Sequence, residues 1–194
     1  RGYSDTWEWD GTRWTLVDAG SAMPTRSDTS MTYDWSRGQV VMGFGMDTDG
    51  GSYCHSDLWA WTGGGWVLLE EAPPLRAWTA MVCDEESREV VLFGGGSDPP
   101  DACIGDTWLL RGDRWTRASS TLSPHARSAH AMAYDAVHRE TVLFGGQHQT
   151  TTGYTTLNDT WIWRQGQWTQ RQPANQPSSR SHACMAFERA RGQV

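Results

Sequence analysis

The chain has 194 residues, 38% of them apolar, and a formal net charge of −7. That length suits one all-β domain with its own core, and the acidic balance argues against nucleic acid or an anionic lipid surface as partner, since both need clustered Lys and Arg. No apolar run approaches the ~20 residues that cross a bilayer, so membrane insertion is not expected; 13 Trp beside 4 Phe and 21 Gly point to repeated use of indole and tight turns.

The opening RGYSDTW has neither an initiator Met nor a signal-peptide pattern and reads as a soluble stretch of a longer precursor. Asp5-Thr6-Trp7 is the first of four Asp-x-Trp triplets, and Trp14 follows across the turn WDGTRW. Arg26 opens the next block, with Met31, Tyr33-Asp34, the polar turn DWSRGQ and an apolar run ending at Met42-Gly43-Phe44-Gly45. After a loop from Met46 to Ser56 come Asp57, Trp59 and Trp66. The second round has Arg76, Met81, Cys83-Asp84, VVLFGG closing on Gly94 and Gly95, a loop to Gly105, then Asp106, Trp108 and Trp115. The third has Arg127, Met132, Tyr134-Asp135, TVLFGG closing on Gly145 and Gly146, a loop to Asn158, then Asp159, Trp161 and Trp168. A last block runs from Arg180 through Met185 and Phe187-Glu188 to Val194.

Successive Asp-x-Trp tryptophans stand 52, 49 and 53 residues apart, and a fixed period of that size determines the architecture. Each period holds short segments rich in Val, Trp, Tyr and Thr bounded by Gly, Asp and Pro, which reads as four strands and excludes helix. A four-stranded meander cannot bury both faces alone, so the units must lean on one another around a ring. The paired tryptophans fill the space between units, and each Gly-Gly supplies positive φ and room for close backbone. A charge that recurs once per repeat is structural: Asp5, Asp57, Asp106 and Asp159 are expected to accept backbone or Arg hydrogen bonds at the entry to the third strand.

A leading Arg, a β-run closing on Gly-Gly and two aromatics seven apart, at a period near 50, resemble the kelch repeat. His130, three residues after Arg127, stands where kelch repeats often carry His, whereas Trp7, Trp59, Trp108 and Trp161 replace the commoner Tyr. The resemblance implies a kelch-type β-propeller of four-stranded antiparallel blades covering nearly the whole chain. Its repeats are 26–75, 76–126, 127–179, and a fourth made of 180–194 plus 1–25, whose half-blades either close one blade or belong to a larger ring. The scrambled Met42 to Gly45 predicts a local bulge.

Rigid strands presenting irregular loops make a binding surface. The loops that link second to third strands and the blade entries on the same face offer Asp47, Asp49, Tyr53, His55, Trp78, Asp98, Asp101, His125, His148 and Tyr154 as contact residues. Asp47-Thr48-Asp49-Gly50 has half the look of a calcium loop, but the later acidic ligands are missing and Asx turns explain it equally well. The four Cys form no CxxC pair and no zinc spacing. Cys54 and Cys103 occupy equivalent positions, either disulfide-bonded or free, and Cys83 and Cys184 read as buried thiols. Two metal patterns known in kelch-like proteins, a Tyr/Cys/His copper set and a Glu-x3-Asp-x3-His iron run, are not found, and neither is a Gly-x-Ser-x-Gly elbow or a phosphate loop. The expected function is a non-catalytic binding module for a protein or glycan, secreted or on a cell surface, without cofactor. A carbohydrate-active or oxidase enzyme with its site at the channel mouth and an assembly scaffold that self-associates through unpaired half-blades are the alternatives.

Overall fold

The computed structural model describes residues 3–20, 22–48, 53–69, 73–97 and 102–194. These residues are all-β. Strands β1 (Thr6–Trp9) and β2 (Trp14–Asp18) form a two-stranded hairpin, and β3 (Arg26–Ser27) is a short lead-in. The first full sheet joins β4 (Ser30–Asp34) and β5 (Gln39–Gly43), then, after the short β6 (Met46–Asp47), β7 (Leu58–Trp61) and β8 (Trp66–Leu69). The second contains β9 (Ala80–Asp84), β10 (Glu89–Phe93), β11 (Thr107–Arg111) and β12 (Arg114–Ala118). The third has β13 (Ala131–Asp135) and β14 (Glu140–Phe144), an inserted hairpin of β15 (Gln147–Thr150) and β16 (Gly153–Thr156), and finally β17 (Thr160–Arg164) and β18 (Gln167–Arg171). All three sheets are antiparallel meanders paired in sequence order.

Turn chemistry sets the first hairpin of each sheet. Asp34, Asp84 and Asp135 each accept two backbone N–H bonds from residues two and three ahead, an Asx turn that ends the strand and reverses the chain. First strands of successive sheets lie side by side: Met81 N–H donates to Ser30 Oγ at 2.8 Å and Cys83 N–H to Thr32 Oγ1 at 3.2 Å. The equivalent residues Met31, Met81, Met132 and Met185 line one shared concavity of 340 Å³.

Backbone bonds step from each repeat to the next. Gly45, Gly95 and Gly146 donate to the carbonyls of Arg76, Arg127 and Arg180. A second series runs from Trp78 N–H to Asp28 O, Ala129 N–H to Trp78 O and His182 N–H to Ala129 O. A Cβ on Gly94 or Gly145 would meet the Arg127 or Arg180 carbonyl at 2.6 or 2.7 Å, so a side chain at either would force the next repeat's backbone to shift.

Two apolar clusters fill the spaces between sheets, one holding Val41, Phe44, Leu58, Leu92 and Trp115, the other Val91, Phe93, Leu143, Trp163 and Trp168. Trp59, Trp66, Trp115, Trp161 and Trp168 are buried and Trp108 half-buried. Trp7 and Trp14 are exposed, because the face of β1 and β2 opposite Trp66 has no neighbour among the described residues. The hairpin β1–β2 pairs with no strand of the C-terminal stretch, where Glu188 and Gln193 form an isolated bridge.

Two local expectations need correction and one open choice is resolved. No bulge forms at Met42 to Gly45: the registers of β5 with β4 and β7 run unbroken, and Phe44 takes the left-handed position (φ 61°) that Gly94 and Gly145 hold in the other repeats. Cys54 and Cys103 form no disulfide; each sulfur meets the equivalent carbonyl of the next repeat, Gly96 O for Cys54 and Gln147 O for Cys103, so the two point along the repeat direction rather than at each other. Cys184 is exposed, since no strand covers its segment.

Candidate functional site

The frame that holds the loop face is a buried ion pair repeated three times. Arg26, Arg76 and Arg127 each reach both carboxylate oxygens of Asp57, Asp106 and Asp159. The same guanidinium donates to the carbonyl of Phe44, Gly94 or Gly145 and, through Nε, to that of Pro24, Pro74 or His125. On the other side of the carboxylate the indole N–H of Trp59, Trp108 or Trp161 donates at 2.7 Å. Burial pushes these carboxyls up, but the Arg and Trp bonds outweigh it and hold all three below the usual range. Asp5 keeps only the Trp7 bond, and Arg180 donates to Ser178, so neither has its counterpart among the described residues.

Upon this frame the segments that enter each sheet and the long loops knit together. Bridges join Arg26 to Asp47, Ser27 and Cys54 to Met46, His55 to Arg76, Ala77 and Cys103 to Gly96, and Ser128 to Gln147. Two residues beyond each leading Arg, the chain turns left-handed at Asp28, Trp78, Ala129 and His182, with φ between 53° and 56°. A bulky residue at that φ costs about 1–3 kcal/mol and persists where surroundings impose it.

Of the expected contact residues the structure brings together two pairs. Trp78 and Tyr154 line a pocket of 260 Å³ with Gly96, Ser128 and Gln147. A Cβ on Gly96 would lie 3.3 Å from the Trp78 ring, so the absent side chain is what lets the indole rest there. On the other side of the β15–β16 hairpin, because alternate residues face opposite ways, His148 approaches His125 with ring centroids 6.4 Å apart. Asp47, Tyr53 and His55 stand apart on the first loop, with Asp47 N–H bonded to Tyr53 O and Tyr53 strongly exposed. Asp49, Asp98 and Asp101 lie outside the described residues. Sequence reasoning missed Gly96, Ser128 and Gln147; their signal was positional, the residue after Gly-Gly and the residue after the leading Arg.

His130 is buried between Gly94 and Gly146 and edge-on to Phe93 at 5.5 Å. Burial, with Arg127 nearby, pushes its pKa down to about 3. The Phe93 backbone offsets this only in part, and neither ring nitrogen has a well-formed hydrogen bond, whereas Thr79, the equivalent residue one repeat earlier, donates to Phe93 O at 2.8 Å. Among the described residues no three His, Cys, Asp or Glu side chains converge on a point suited to a metal, and no helix is long and apolar enough to cross a membrane. No protein-family model matches the chain.

Proposed function

We propose that this chain is a kelch-type β-propeller, or the greater part of one, and that it is a non-catalytic binding module whose loop face takes a glycan through Trp78 and Tyr154. The support for the ring is that equivalent methionines of all four repeats line one concavity and that successive repeats are joined by equivalent backbone bonds. For the function the observation that carries the reading is the Trp78–Tyr154 pocket: two aromatic side chains around polar Ser128 and Gln147 offer stacking surface and hydrogen-bonding groups side by side. Asp28, Ala129 and His182 serve at the same strained left-handed position in sister repeats, so the turn itself does not call for the Trp78 indole.

A glycan array, followed by titration of the best binder against Trp78→Ala and Tyr154→Ala, tests this. Each variant should weaken binding about tenfold or more, corresponding to ~1.4 kcal/mol or above, with the thermal melt little changed for Tyr154→Ala. Full-strength binding by both variants, or no glycan bound at all, would reject the site.

A further inference from the structure

The space between the first and second full sheets differs from its two neighbours in a way that the repeat itself exposes. On the corresponding side of the β1–β2 hairpin and of the first and third full sheets, a pair of indoles packs at 5.3–5.5 Å: Trp9 with Trp14, Trp61 with Trp66, Trp163 with Trp168. The second sheet carries Leu110 where the others carry Trp9, Trp61 and Trp163, so Trp115 has no indole partner in its own sheet. A second departure concerns its N–H. Trp66 and Trp168 donate at 2.8 Å to Thr6 and Thr107, the middle residues of the preceding Asp-x-Trp triplets. For Trp115 the corresponding residue is Leu58, which has no acceptor, and its buried Nε1 is left without a hydrogen-bond partner. The third departure is Phe44. Phe93 packs on Trp168 at 5.2 Å, but the shifted Phe44 ring stands 6.4 Å from Trp115.

The first two departures fall in one cleft, and Phe44 lies behind it against Trp115. The cleft measures 800 Å³, against 220 Å³ for the one between the second and third sheets, and its described walls are apolar at Leu58, Leu68, Leu69, Leu110 and Trp115 and charged at Arg37, Asp113 and Arg114. Arg37, ion-paired to Asp113 at 2.7 Å, spans from the first sheet to the second beside it. We infer that this cleft is a binding site for a small flat aromatic molecule carrying one hydrogen-bond acceptor: the ring takes the volume the repeat assigns to an indole, and the acceptor satisfies the Trp115 N–H that Leu58 leaves unpaired. The leucine side of the cleft gives an aromatic ring apolar surface to cover, its charged side keeps a polar group hydrated, and an unpaired buried donor selects ligands that complete it.

The test is a titration of the whole chain with acetophenone and with ethylbenzene, similar in size but without an acceptor, followed by the indole N–H resonances. Acetophenone should give a saturable shift at Trp115 with Trp66 and Trp168 unmoved, and ethylbenzene should bind at least about tenfold more weakly. Leu110→Trp restores the repeat and should abolish binding of both while raising the melting temperature. Leu58→Thr gives the indole an internal acceptor and should reduce acetophenone to the level of ethylbenzene, which keeps the test decisive should Leu110→Trp fail to fold. Equal shifts at all three indoles, no saturable shift at Trp115, or unchanged acetophenone affinity in Leu58→Thr would overturn the assignment.

Discussion

The same acidic triplet occurs with and without its arginine, and this makes Asp106→Asn against Asp5→Asn an internal experiment on what the charge contributes. Asp106 neutralises Arg76, whose side chain is 1% exposed and which donates at 2.7 Å to one oxygen while Trp108 binds the other. Amide substitution keeps the shape and one acceptor but leaves a guanidinium buried without countercharge, a loss of about 3–5 kcal/mol for breaking such a pair from one side. Asp5 is exposed and bonds Trp7 alone, so its amide should cost under about 1 kcal/mol, as surface substitutions do. With roughly 2–4 °C per kcal/mol for a chain of this size, Asp106→Asn should lower the melting temperature by about 6–20 °C and Asp5→Asn by no more than about 4 °C. Urea titration followed by circular dichroism checks that both losses appear in the midpoint rather than the slope. Equal losses for the two variants would refute the claim that the Arg–Asp pair, and not the Asp–Trp bond, fixes the third strand.

Other expectations rest on separate features. His130 is neutral in the fold with its pKa depressed to about 3, so the unfolded chain binds a proton first: the stability that this group contributes is complete above about pH 6.5 and falls by up to about 1.4 kcal/mol per pH unit below it. His130→Thr should flatten urea midpoints between pH 6.5 and 4.5, and an unchanged pH dependence would contradict the buried neutral ring. The depressed carboxyls of Asp57, Asp106 and Asp159 contribute stability present above the ordinary carboxylate pKa and lost as pH falls further, so acid unfolding should steepen below about pH 4. Thiol labelling without reductant should find Cys184 reactive in the native protein, Cys83 silent because burial raises its pKa to about 11, and four thiols after unfolding; two thiols would mean that a disulfide exists. Gly166→Ala meets only the strain of positive φ and should cost about 1 kcal/mol, whereas Gly145→Ala adds a clash with Arg180 O and should cost at least twice that in chemical denaturation.

Much of this organisation could be read from residues. The strand segments of the three full sheets follow from short runs rich in Val, Trp, Tyr and Thr between Gly, Asp and Pro signals, and Asp34, Asp84 and Asp135 end the first strands at their hairpins. That Asp-x-Trp recurs made the aspartates readable as acceptors, but only coordinates tell that the donor is the Arg about thirty residues earlier, because nothing local links the two. The left-handed turn at Asp28, Trp78, Ala129 and His182 has no sequence signal, since four unlike side chains share a backbone set by the next repeat. Met42 to Gly45 reads as a bulge because it scrambles the Phe-Gly-Gly order; instead Phe44 takes the positive φ itself, with its ring buried near Trp115. The orphaned Trp115 N–H was invisible for a related reason: it is the product of Leu58, a residue in the preceding repeat.

The claim on which the loop face depends is that the repeats lean about one axis with their first strands innermost. Methyl-labelled methionine in the intact chain measures this directly through cross-relaxation among Met31, Met81, Met132 and Met185. The account predicts contacts linking these methyls from repeat to repeat through one cavity. Methyls that see only their own sheets and water would contradict it.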